Sequence, residues 1–134
     1  MTDAQGESPW PEQLAIRVTA MPRDTNAHGT VFGGYILSLI DQAGAIAAHA
    51  SGAGKIVTVA MREVEFKAPV HVGDIVTCYG QIVRKGRTSI TVNVRVVAHH
   101  PIRGKGMPER HVTQAEVVYV QVDEEGSPMP VPAG

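Results

Sequence analysis

Asp41 stands where a carboxylate is costly. Residues 35–50 are apolar on every side of a 3.6-residue period apart from Ser38, Asp41, Gln42 and His49, which predicts a helix enclosed by protein with an acid inside it. A lone charge taken out of water costs several kcal/mol, so Asp41 has to be paired, hydrogen-bonded or protonated. A carboxylate held in that way is suited to act as a general base or a nucleophile. Just ahead of the helix stands Gly33-Gly34, which allows close backbone approach and leaves first-turn N–H groups open to an anionic or carbonyl oxygen. Asp41 lies seven residues past Gly34, about 10 Å along a helix axis. A base and an oxyanion donor serving one carbonyl must each stand within about 3 Å of the reacting atoms, so the two would have to come from different protomers. The plainer readings are a tight loop-to-helix turn for the glycines and a buried acid satisfied by backbone for Asp41.

Other residue types carry weaker signals. Arg84-Lys85-Gly86-Arg87-Thr88-Ser89 places three cations and two hydroxyls on one hairpin, either a phosphate clamp or a sheet edge kept soluble by its charges. Arg103, Lys105 and Arg110 follow in a later loop. Ser38 shares the helical face of Asp41 but lies outside any Gly-x-Ser-x-Gly elbow, so it reads as a hydrogen-bonding helper or as packing. His28, His99, His100 and His111 show no metal-ligand spacing, and no metal is expected. Asn26 reads on its own as a loop Asx-turn.

The rest of the chain must position these groups. Its 134 residues fit one domain, and 12 basic against 13 acidic side chains give a net charge of -1, without general attraction to nucleic acid or an anionic membrane. The single Cys78 excludes an internal disulfide and reads as a small core residue. The first 13 residues lack a secretion-signal layout, which predicts a cytoplasmic protein. Residues 1–12 are expected to be a flexible segment unless Trp10 finds a pocket, residues 13–123 one domain, and residues 124–134 a flexible Pro-rich tail.

Residues 13–20 alternate as a half-buried strand, and Ser51-Gly52-Ala53-Gly54 suits a left-handed helix cap. Residues 55–67 read as one long strand with Ile56, Thr58, Ala60, Val64 and Phe66 facing inward, broken at Arg62 by a polar cavity or by a bulge near Glu63. A turn at 68–74 leads to a strand at 75–84. After Lys85-Gly86 the chain returns with Ile90, Val92, Val94 and Val96 packed and Ser89, Thr91, Asn93 and Arg95 wet. Residues 99–110 read as a flexible excursion and 111–123 as the last strand. One long helix and roughly five hairpin-linked strands give an α+β fold in which an antiparallel sheet curls round the helix.

Met21-Pro22, Asp24-Thr25-Asn26, Gly29 and Phe32-Gly33-Gly34, followed by Asp41 on the helix, resemble the YciA-like acyl-CoA thioesterases of the hotdog superfamily. Val57-Thr58-Val59-Ala60, Phe66 to Asp74, Gly86-Arg87-Thr88-Ser89-Ile90 and Val120-x-Val122-Asp123-x-x-Gly126 continue the likeness in order. It implies a hotdog fold and hydrolysis of acyl-CoA to a carboxylic acid and CoA, at a site shared by two protomers. It implies catalytic roles for Asp41, Asn26 and Gly34, with Gly33 and Gly34 forming the oxyanion turn. Arg84, Lys85, Arg87, Thr88 and Ser89 would bind the CoA phosphates. No separate cofactor is implied, and a homodimer is expected, with a tetramer or a trimer of dimers as larger assemblies. A non-catalytic acyl-CoA-binding protein and a hotdog enoyl-CoA hydratase are the rival readings. His28, Thr30 and Tyr35 depart from the Asn, Asp and Trp that relatives often carry.

Overall fold

The computed structural model describes residues 8–102 and 109–133. Its elements are β1 (Gln13–Thr19), a 3-10 turn (Pro22–Asp24), α1 (Gly33–Ala50), β2 (Ile56–Arg62), β3 (Ile75–Lys85), β4 (Ser89–His99) and β5 (Arg110–Gln121). The strands form one antiparallel sheet in the order β1-β3-β4-β5-β2. Helix α1 lies against this sheet, burying Ile36, Leu39, Ile40, Ala43, Gly44, Ala47 and Ala48, and the arrangement is that of a hotdog fold.

The helix begins and ends as its sequence dictates. Gly52, at φ 105°, takes the left-handed turn beyond Ser51, while Ser51 and Ala53 both donate N–H bonds to the Ala48 carbonyl. Enclosure is only partial, however. Ser38, Gln42 and Ile46, one turn apart, remain exposed, with Ile46 at 43%, because a single sheet covers one face of a helix and this stripe points away from it.

β4 sits between β3 and β5, and Ile90, Val92, Val94 and Val96 have no solvent contact. Its other face is drier than its residue types suggest. Thr91 is buried, and Arg95 lies 4.4 Å over the Tyr79 ring while holding Glu12 through two hydrogen bonds. The long strand expected over 55–67 stops at Arg62. Glu63 takes a left-handed φ of 61°, a conformation that ends the strand, and a register shift between Thr58 and Ala60 breaks the period of two. Phe66 is therefore 46% exposed rather than inward, and Thr58 faces the helix side chains described below.

Both ends of the described chain fold back on the sheet. Trp10 packs partly buried against the core and accepts a hydrogen bond from Gln81 Nε2. Beyond β5, Val122 pairs with Pro128, Met129 N–H donates to the Gln121 carbonyl, and Val131 N–H donates to Arg87. Arg110 opens β5 and donates to the buried Asp74 carboxylate and to the Pro69 carbonyl. Arg103 and Lys105, considered above for phosphate binding, lie outside the described residues. Among the described residues, no helix is long and apolar enough to cross a membrane.

Candidate active site

The loop before α1 is tied down by its own polar groups. Asp24, buried, accepts the Met21 N–H at Oδ2, and its carbonyl accepts the Phe32 N–H. Asn26 Oδ1 accepts the His28 N–H at 2.8 Å and the Thr30 N–H at 3.3 Å, the Asx-turn expected of the residue type. Val31 N–H donates to the Val70 carbonyl, and Val31 plugs into the core. These bonds fix where the helix starts. Phe32 caps it without any side-chain hydrogen bond. Among the described residues, the N–H groups of Gly33 and Gly34 have no acceptor. A Cβ on Gly34 would stand 3.3 Å from the Phe32 ring and one on Gly33 3.4 Å from Phe66. The helix dipole adds partial positive charge at this open end. An apolar cavity of about 360 Å³ borders it, lined by Val31, Gly33, Ile36, Phe66, Val70 and Val112.

Asp41 lies half-buried further along α1. Its Oδ1 accepts a 2.7 Å hydrogen bond from Thr58 Oγ1 of β2. Tyr119 Oη of β5 lies 3.2 Å from the same oxygen and donates to the Asp41 main-chain carbonyl at 2.6 Å. Oδ2 has no partner among the described residues. β2 and β5 bring these donors together because Thr58 and Tyr119 are directly paired. Burial first, then the Asp41 charge and the hydrogen bond to it, push the Tyr119 hydroxyl well above the usual tyrosine range, so it remains a donor. The sequence reading missed this fixation: Thr58 counted there as an inward strand residue and as part of the family likeness, and Tyr119 was not singled out within the last strand. The one available signal was Gly44, a glycine inside a helix, where a Cβ would meet Tyr119 Oη at 2.3 Å.

The proposed groups are not all assembled within one chain. Asn26 and Asp41 share no hydrogen bond among the described residues. Ser38 Oγ donates back to the Tyr35 carbonyl, consistent with a helper rather than a nucleophile. The hairpin after β3 sits at the opposite end of α1 from Gly33-Gly34. Thr88 accepts the Gln121 N–H, and Gln121 Oε1 accepts the N–H of Gly54, just past the helix C-terminus. An 18-residue helix separates the two ends, about 27 Å at 1.5 Å per residue. Within the hairpin, Arg87 is exposed, Arg84 reaches Thr91 Oγ1, and Thr88 and Ser89 are half-buried. Lys85 is engaged elsewhere, with Nζ 5.5 Å over the Trp10 ring and 3.4 Å from the Pro132 carbonyl. Among the described residues, no His, Cys, Asp and Glu cluster could hold a metal ion.

Comparison with known proteins places the chain in a family. A family model described as "Thioesterase superfamily" matches residues 28–104. The acyl-CoA thioester hydrolase YciA of Salmonella typhimurium is 43% identical over 124 residues, covering 90% of each chain, and that of Escherichia coli is 43% identical over 123 residues. A hexameric broad-specificity acyl-coenzyme A thioesterase, solved with one aspartate changed to alanine, aligns with a TM-score of 0.84 and 40% identity over 89% of this chain and 86% of that one. The hexameric thioesterase of Yersinia pestis aligns at 0.83 and 39% identity over 90% of this chain and 96% of that one. With half its length matched by the family model and relatives of this identity covered nearly end to end, the chain belongs to the thioesterase superfamily.

Proposed function

We propose that the protein is an acyl-CoA thioesterase whose active site is shared by two protomers. The observation that carries this reading is the carboxylate of Asp41, anchored at Oδ1 and, among the described residues, free at Oδ2, on the same helix as two N–H groups that lack acceptors among those residues. The relatives and solved neighbours named above are acyl-CoA thioester hydrolases and thioesterases. In the reaction the Gly34 N–H of one protomer polarises the thioester oxygen, an interaction worth about 3 to 4 kcal/mol for a single donor in other enzymes. Asp41 of the partner takes a proton from water as the water attacks, or attacks the carbonyl itself to form a mixed anhydride that water opens. In both routes the C–S bond breaks, CoA leaves as its thiol, and the acyl group leaves as a carboxylic acid. Asn26 holds the water or the substrate carbonyl through its side-chain amide, the Oδ1 end being committed to the loop.

Antiparallel packing of two helices would bring the hairpin end of one protomer to the Gly33-Gly34 end of the other. Arg84, Arg87, Thr88 and Ser89 then clamp the CoA phosphates while the acyl carbonyl reaches the glycines. The exposed stripe of α1 and the outer edge of β2, with Val57 and Val59 at 43% and 55% exposure, form the dimer contact. Three dimers assemble as in the hexameric neighbours. The protein works in the cytoplasm. An acyl-CoA-binding protein without activity would have no use for an anchored Asp41. A hydratase reading fits less well because His49 Nδ1 faces the Ala53 carbonyl, eight residues from Asp41.

The test is thiol release from acyl-CoA of several chain lengths by wild type and Asp41→Asn. Turnover should fall at least ~100-fold in the variant, the scale of a positioned acid or base, with stability held or raised as a buried charge is removed. Near-normal turnover in Asp41→Asn would remove the mechanism.

A further inference from the structure

We infer that Tyr119 is a positioning residue for Asp41: its hydroxyl, seated where Gly44 lacks a Cβ, fixes the helix and the carboxylate together so that Oδ2 alone is presented to the substrate water. This deepens the thioesterase reading and rests on it. Tyr119 is 1% exposed, and its Oη lies 2.6 Å from the Asp41 carbonyl and 3.2 Å from Oδ1. In a regular helix that carbonyl accepts only the N–H of residue 45. Here the hydroxyl adds a second donor to it. The contact is made at the turn that bears the acid.

Packing alone does not account for the arrangement. A glycine inside a helix costs roughly 0.5 to 1 kcal/mol relative to alanine, so Gly44 gives up helix stability to admit an oxygen. A phenylalanine ring at position 119 would fill the same core space without that oxygen. Thr58, on the neighbouring strand, holds Oδ1 at 2.7 Å, so the carboxylate is gripped by β2 and β5 at one oxygen. The hydroxyl stays protonated, as its raised titration range requires, and takes no proton from the reaction. Its part is geometric: a reacting group displaced by about 1 Å can cost 10²-fold in rate.

Tyr119→Phe removes the oxygen and keeps the ring. We expect kcat for acyl-CoA to fall about 10- to 100-fold while KM stays within about 2-fold, because misplacing the acid leaves the CoA contacts intact. Thr113→Val is the control. Thr113 is fully buried on the same strand and donates to the Glu65 carbonyl at 2.7 Å, so its loss should lower thermal stability and leave kcat within about 2-fold, since a typical buried hydrogen bond is worth roughly 1 kcal/mol. A kcat within 2-fold of wild type in Tyr119→Phe, or an equal loss in Thr113→Val, would overturn the inference. So would an unfolded Tyr119→Phe beside a folded Thr113→Val, which would assign the hydroxyl to the fold alone. If wild type does not hydrolyse acyl-CoA, or Asp41→Asn keeps its turnover, the thioesterase reading fails first. If both hold and Tyr119→Phe keeps its kcat, only the positioning role falls.

Discussion

β4 carries Ile90, Val92, Val94 and Val96 to positions with no solvent contact, whereas β2, built from similar β-branched residues, leaves Val57 43% and Val59 55% exposed. The difference lies in their neighbours. β4 has a strand on each side, while β2 pairs with β5 alone and ends the sheet. Long, apolar, uncovered edges attract other chains, and Phe32 and Ile46, each more than 40% exposed, add apolar surface on the α1 side. Asp41 belongs to the unfinished region through its bond to Thr58 of β2. On the mechanism proposed above, the strand that secures the fold and the strand that meets the chemistry are separate, and damage to one should spare the other.

The strongest way to break this contrast is a charge on the open edge. Val59→Asp should convert the assembly to monomers by light scattering and reduce thiol release at least ~100-fold, because each protomer would lose the partner's half of the site. An active monomer would show that one chain holds a complete site. The interior strand should behave in the opposite way. Val94→Ala removes two methyl groups at roughly 0.8 kcal/mol each plus a cavity contribution, so about 2 kcal/mol should be lost in denaturant unfolding, with kcat within about 2-fold. A large loss of turnover there would tie β4 to the chemistry.

A smaller effect is expected at the hairpin. Arg87→Ala should raise KM for acyl-CoA roughly 3- to 10-fold with little change in kcat, since phosphate contacts far from the reacting carbon serve ground and transition states alike. Added salt should mimic part of this effect. A fall in kcat at constant KM would move Arg87 out of the clamp. The smallest expectation is no reaction at all: burial pushes the Cys78 thiol up to about 12, so it should stay silent to a disulfide reagent at pH 8 and leave the CoA thiol as the only signal. Rapid labelling of the folded protein would show that β3 opens in solution.

Asp41 and Gly33-Gly34 stood out in the sequence because an acid in an apolar helix and paired glycines at its start are each costly. The β3–β4 hairpin was legible too, since a period of two flanking Lys85-Gly86 has few other solutions. The inward face assigned to β2 was not, because the bulge at Thr58/Ala60 and the turn at Glu63 leave no mark in a run of β-branched residues. Enclosure of α1 was overread for a different reason. A helix apolar all round looks the same in sequence whether its own sheet covers it or another surface must.

Residue types alone determined that this chain has one long apolar helix, an antiparallel sheet to pack against it, an acid at position 41 and open N–H groups at its start, since these follow from local periodicity and helix-end chemistry. Which groups grip the acid was decided by tertiary structure. Tyr119 lies 78 residues from Asp41 in the chain, and its place beside Thr58 comes from the β2–β5 register. A one-residue slip of β2 against β5 would turn Thr58 to the other face of the sheet, away from Asp41, while Tyr119 stays in register with β4. The helix seated against the sheet, with Gly44 leaving room for a single hydroxyl oxygen, holds it in place.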